Sequence, residues 1–120
     1  MDWIRVLSEE DLPPGTRETV DVSGEEILLI HDRGEIHAVA GRCPHMGARL
    51  EKGEISADGT IICPRHRSEF DLATGGVEAW APWPPVVGRA LGAMSRQKDL
   101  PVYPTKVEDG AIWLGIRKPE

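Results

Sequence analysis

Two short segments of this chain hold side chains that bind metals. Cys43-Pro44-His45 offers a thiol and an imidazole within three residues, and Cys63-Pro64-Arg65-His66 offers the same pair within four. Seventeen residues separate His45 from Cys63. One arm alone supplies two donors, too few to hold a metal. Brought together from two loops, two Cys and two His make a four-ligand site, because thiolate and imidazole are the donors that zinc and iron–sulfur centres take. The other histidines, His31 and His37, flank a hairpin turn without a cysteine companion and read as strand-surface or packing residues.

Three outcomes compete for this donor set. Structural zinc accepts Cys2His2, but more often pairs like with like, as Cys-x2-4-Cys and His-x3-5-His. Here each arm is mixed, which suits a centre with two different metal positions. A [2Fe–2S] cluster held by two thiolates on one iron and two imidazoles on the other takes one ligand of each kind from each arm. A Cys43–Cys63 disulfide leaves both histidines and the doubled Cys-Pro unexplained, and a reducing compartment disfavours it.

The elements that must position these arms read as strands. The chain has 120 residues, with 13 Gly and 10 Pro, enough for one domain dense in turns. Alternating or β-branched runs at 3–7, 17–22, 26–31, 36–40, 54–56, 60–62, 102–108 and 111–116 predict an all-β chain. Asp32-Arg33-Gly34, Ala57-Asp58-Gly59 and Glu108-Asp109-Gly110 supply hairpin turns. The hairpin over 54–62 returns the chain and brings the two arms together. The segment APWPP at 81–85 excludes helix, whereas Val87, Ala90, Leu91 and Met94 fall on one helical stripe and predict a short helical insertion near 86–97.

Charge and hydropathy remove whole classes of function. The net charge of −6 argues against nucleic acid or an anionic membrane as partner. No start resembles a signal peptide and no apolar run spans a bilayer, so a cytoplasmic location is expected. The negative charge is uneven. Residues 1–41 carry three basic and ten acidic side chains, residues 42–70 five and four, and residues 71–120 six and six. The stretch that holds the Cys and His arms is therefore mildly basic.

The segments CPHMGARL (43–50) and CPRHRSEFDLATGG (63–76) resemble the two cluster-binding boxes of Rieske proteins, and EDGAIWLG (108–115) resembles their closing hairpin. The similarity is nearest to the soluble bacterial Rieske-type ferredoxins and covers nearly the whole chain. It implies a Rieske fold: an antiparallel β-sandwich or barrel-like base, with a small cluster-binding subdomain at about 42–85 within a single domain, 1–120. It also implies one [2Fe–2S] cluster per chain. Cys43 and Cys63 would hold the inner iron, and His45 and His66 the outer, solvent-near iron. Around them, Gly47 lets the first loop pass close to the cluster, and Phe70-Asp71 marks re-entry into a strand. Asp71 is expected to cap backbone amides. Pro82 lies in a third, shielding loop, with Trp80 and Trp83 packed beneath it.

Departures from the respiratory-complex Rieske pattern narrow the expectation. Ala48 and Arg65 stand where those proteins carry a second pair of cysteines, so no disulfide bridges the loops. Ser68 keeps one hydrogen-bond donor to the cluster, but Phe70 lacks the hydroxyl of the tyrosine found there. Fewer donors stabilise the reduced, more negative cluster less, which implies a low to intermediate potential. Arg67 replaces the glycine usual after the second histidine, and Arg65 and Arg67 flank His66 as a basic rim suited to an acidic partner surface.

The resemblance implies a one-electron carrier with no catalytic residue and no small-molecule substrate. Its partners would be a flavin-dependent reductase upstream and a terminal oxygenase downstream. A small Rieske subunit of a nitrite reductase-type enzyme is the alternative. A complete oxygenase is excluded by length, since the chain has no further His pair with a carboxylate for a mononuclear iron.

Overall fold

The run Ile27-Leu28-Leu29-Ile30 sets how the layers stack. All four side chains are buried, where a strand with one wet face would alternate. Ile27 and Leu29 pack with Leu12, Ala38, Ile112 and Leu114, whereas Leu28 and Ile30 pack with Val39, Leu50, Ile61, Phe70, Leu72, Leu100 and both cysteines. The strand that carries them is thus covered on both faces. Burying each such side chain contributes about 1.5–3 kcal/mol.

The computed structural model describes residues 2–44, 47–64, 67–79 and 99–116. Eleven strands appear among them: β1 (Asp2–Ser8), β2 (Arg17–Val22), β3 (Glu25–Asp32), β4 (Glu35–Ala40), β5 (Glu54–Ile55), β6 (Thr60–Ile62), β7 (Glu69–Asp71), β8 (Val77–Ala79), β9 (Val102–Tyr103), β10 (Thr105–Glu108) and β11 (Ala111–Ile116). They form three antiparallel sheets, ordered β1-β11-β10, β2-β3-β4-β9 and β5-β6-β7-β8. The first two enclose one core. The third packs on the far side of the middle sheet and carries the second Cys arm. The described residues are therefore all-β apart from one 3-10 turn at Glu9–Asp11, as the strand pattern predicts.

One feature differs from the sequence expectation. The run 102–108 is two strands in two sheets, not one. Pro104 has no N–H to continue a ladder, and the chain changes sheets there: Val102 and Tyr103 pair with Val39 and Ala38, and Thr105 begins pairing with β11. The hairpin turn expected at Asp32-Arg33-Gly34 forms, with Arg33 and Gly34 left-handed (φ 51° and 78°) and Asp32 still in the strand. Both central residues at positive φ define a type I′ turn, whose twist matches the flanking strands. Strand β8 and the turn Ser23-Gly24 also go beyond the expected elements. The helical stripe at 86–97, together with Trp80, Pro82 and Trp83, lies outside the described residues.

Asp71 behaves as expected. Its Oδ1 accepts hydrogen bonds from Ala73 N–H (2.9 Å) and Thr74 N–H (3.0 Å), closing the turn that leads from β7 to β8. His31 Nδ1 lies 2.9 Å from the Leu12 carbonyl, and His37 Nε2 lies 3.6 Å from Glu35 Oε2, so both histidines serve the base. The one tyrosine, Tyr103, donates its hydroxyl to Glu25 (3.2 Å). Burial and the neighbouring carboxylate raise its pKa.

Candidate metal centre

The first Cys arm is built on a neck between β4 and β5. Gly41 N–H donates to Glu26 O (2.9 Å) and Leu50 N–H donates to Gly41 O (2.9 Å), while Arg42 and Arg49 form an isolated antiparallel bridge. Their guanidinium groups share one carboxylate, Glu26 Oε1, at 3.3 and 3.5 Å. Arg42 Nη1 also donates to the Gly47 carbonyl (3.1 Å), which ties the loop tip to β3. Below the neck, Arg17 Nη1 on β2 donates to the carbonyls of Glu51 (3.0 Å) and Gly53 (2.6 Å). Glu26, Arg42 and Arg17 are support that the sequence does not reveal, because their partners lie up to 36 residues away.

The second arm joins β6 to β7. A chain of hydrogen bonds steadies its base. Thr60 Oγ1 donates to Glu69 Oε2 (2.8 Å) and so accepts from Ser56 Oγ (2.7 Å), which in turn accepts from Thr60 N–H (3.3 Å) and Asp58 N–H (3.2 Å). Thr60 is buried, so this satisfies a hydroxyl that would otherwise cost about 1–3 kcal/mol.

The two arms close in the same way. Cys43 N–H donates to Ala48 O (2.7 Å) and Cys43 O accepts from Gly47 N–H (2.8 Å). Twenty residues on, Cys63 N–H donates to Ser68 O (2.8 Å) and Cys63 O accepts from Arg67 N–H (3.0 Å). The fourth residue after each cysteine takes a left-handed conformation, φ 74° at Gly47 and 62° at Arg67. Each cysteine thus sits in a clasp of the same length and bonding. The spacings Cys-x-His and Cys-x2-His conceal this likeness, because the histidines stand at different steps of the loop.

Both cysteines are 2% exposed and belong to one packed cluster with Phe70 and Leu100. They are thiols and not a disulfide. Ser68 is fully buried beside Cys63's clasp, Phe70 is fully buried, and Ala48 packs against the same cluster. Gly47 and Arg67 are exposed. His45, Arg65 and His66 lie outside the described residues. Two buried thiols on matched loops fit a centre that takes one thiolate from each arm, which is the donor chemistry of a mixed-ligand [2Fe–2S] cluster.

Comparison with known proteins decides the family. The model of the Rieske [2Fe–2S] domain matches residues 2–104. The chain belongs to the Rieske [2Fe–2S] family. Rieske membership implies a single [2Fe–2S] cluster, and the chain is an electron carrier. It is 33% identical over 113 residues to the ferredoxin component of the naphthalene 1,2-dioxygenase/salicylate 5-hydroxylase systems of a Ralstonia species, covering 94% of each chain. Among solved structures it resembles the ferredoxin of carbazole 1,9a-dioxygenase from Nocardioides aromaticivorans IC177, with a TM-score of 0.76 and 25% identity over 98% of this chain and all of that one. It also matches a chain in the complex of reduced oxygenase and oxidised ferredoxin of carbazole 1,9a-dioxygenase, with a TM-score of 0.73 and 25% identity, covering 98% and 97%. Among the described residues of this Rieske protein, no helix is long and apolar enough to cross a membrane.

Proposed function

We propose that Cys43 and Cys63 hold one iron of the cluster and His45 and His66 the other, and that the protein carries single electrons from a flavin-dependent reductase to a terminal oxygenase. The observation that supports this most is the pair of matched clasps, each presenting one buried thiol. The Ralstonia relative and the carbazole dioxygenase ferredoxin complex support an oxygenase as the acceptor. The reading includes a single domain over 1–120, a cluster-binding subdomain at about 42–85 and a cytoplasmic location.

When bound, the cluster supplies a one-electron couple. The residues around it set how easily that couple is reduced. Oxidised, the centre with two thiolates and neutral imidazoles has no net charge, and reduction makes it −1, so donors and positive charge nearby favour the reduced form. The sole tyrosine is hydrogen-bonded to Glu25 in the other core, and Phe70 offers no hydroxyl. Ser68 is then the one hydroxyl carried over from the Rieske pattern. Ser68→Ala is expected to lower the midpoint potential. A donor worth about 1.4 kcal/mol more to the reduced state corresponds to about 60 mV for one electron. Square-wave voltammetry of wild type and variant reads the shift, and an unchanged potential means the Ser68 hydroxyl does not act on the cluster.

The reading itself has a direct test. Purified protein is expected to be red-brown, to contain two irons and two sulfides per chain, and to give an electron paramagnetic resonance signal of low average g after dithionite reduction. Colourless protein with one zinc per chain would overturn it.

A further inference from the structure

The two cysteine arms are closed at the same step but by different means. In each, the residue before the cysteine lies opposite the sixth residue after it: Arg42 faces Arg49 on the first arm, and Ile62 faces Glu69 on the second. The second pair ends a ladder that runs on through Ile61 with Phe70 and Thr60 with Asp71, inside a four-stranded sheet. The first pair is an isolated bridge, and it sets two arginines directly across from each other. Side chains so placed have Cβ atoms about 4.5–5.5 Å apart, and like charges there push the strands open. The first arm is therefore the weaker closure, although it carries Cys43 and its buried thiol.

Glu26 on β3 offsets that repulsion. Its Oε1 lies 3.3 Å from Arg42 Nη2 and 3.5 Å from Arg49 Nη2, so one carboxylate bridges both guanidinium groups. Arg42, held in this way, donates its Nη1 to the Gly47 carbonyl inside the clasp (3.1 Å). The backbone of Glu26 serves the same neck. Its carbonyl accepts from Gly41 N–H, and a Cβ on Gly41 would come within 3.1 Å of that oxygen. Glu51 reaches Arg49 only at 3.9 Å, and its other carboxylate oxygen accepts from Thr19 (3.3 Å). Exposed ion pairs are individually weak, but here one carboxylate turns a repulsive pair into a bridged one. We infer that Glu26 is a positioning residue for the cluster: its charge keeps the first arm closed, and that arm is the one that opens to release the cluster. This rests on the reading above that Cys43 is a ligand, and adds which arm opens and what holds it shut.

Hydrogen–deuterium exchange of the holoprotein, read by mass spectrometry, separates the two arms. Glu26→Gln keeps the size and an acceptor oxygen but removes the charge. It is expected to speed exchange of the peptide 41–50 by roughly three- to five-fold and to leave 61–69 unchanged. The gap from wild type should narrow in about 1 M salt, which screens the arginines from each other. Combining Glu26→Gln with Arg49→Gln removes the repulsion together with the charge that balanced it, and should return exchange close to wild type. Glu18→Gln removes the same charge from an exposed position on β2 and should change neither peptide. Loss of the visible spectrum in excess chelator should follow the same order, roughly three- to five-fold faster in Glu26→Gln and close to wild type in the double variant.

Exchange of 41–50 at the wild-type rate in Glu26→Gln, or an equal rise in 61–69, overturns the inference while leaving the cluster reading intact. So does a double variant that exchanges as fast as Glu26→Gln, or faster exchange with no faster loss of the spectrum. Wild-type protein without iron or visible absorption overturns both.

Discussion

Cys43→Ala and Cys63→Ala are each expected to give a folded, colourless protein without iron. The clasp around each cysteine is made by its backbone N–H and C=O, both of which alanine keeps. What alanine removes is the sulfur, so the loss falls on metal binding and not on the loop. Each side chain is buried among Phe70, Leu72 and Leu100, and trimming one sulfur there costs on the order of 1 kcal/mol, a small part of the stability of such a domain. The two signals should therefore separate. Far-ultraviolet circular dichroism and a cooperative melt should persist, while iron content and the visible spectrum fall to background. A variant that keeps two irons per chain and the wild-type spectrum would show that its sulfur is not a ligand. Variants that lose all structure along with iron would make the thiols structural residues first. Either result counts against the assignment made here.

How much of this was legible in the sequence depends on the range of the interactions involved. The metal chemistry was, because Cys-x-His and Cys-x2-His are local patterns of donor type, and so were most strands, since alternation is local too. Pro104 could have announced the change of sheet between β9 and β10, as a proline within a strand run demands an edge or a break. The two-sided burial of Ile27 to Ile30 was visible only as an apolar run, which fits a strand or a buried helix equally well. The matched clasps carry only a faint local signal: Cys43, Gly47 and Ala48 stand at an interval of twenty from Cys63, Arg67 and Ser68, and only the cysteine is shared. Nothing local marks Glu26 as the shared partner of Arg42 and Arg49, or Arg17 as the clamp on Glu51 and Gly53. Those contacts exist only once the sheets have stacked.

Among the described glycines, Gly75→Ala is expected to be a severely damaging single methyl. Gly75 joins the turn after β7 to the chain returning at 99–101. Its N–H donates to Asp71 O (2.7 Å) and its carbonyl accepts from Leu100 N–H (2.8 Å). Its φ is +77°, and a Cβ there would overlap the Leu100 carbonyl oxygen and press on Val102 Cγ1. The obstacle is backbone, which cannot rotate aside. The left-handed cost of about 1–2 kcal/mol therefore adds to a forced displacement of Leu100, a buried neighbour of both cysteines in the core. A total of about 3–5 kcal/mol places the change among the exceptional ones, and the melting temperature should drop by roughly 10–20 °C. Iron should be lost more readily as well, because the displaced residue packs in the same cluster as Cys43 and Cys63. The adjacent Gly76→Ala is the control. Its Cβ would meet only the Thr74 hydroxyl, a side-chain atom that can turn away, so its melting temperature should stay within a few degrees of wild type. If Gly75→Ala melts as Gly76→Ala does, the join between the 71–76 turn and Leu100 is not what holds the cluster-bearing sheet to the base.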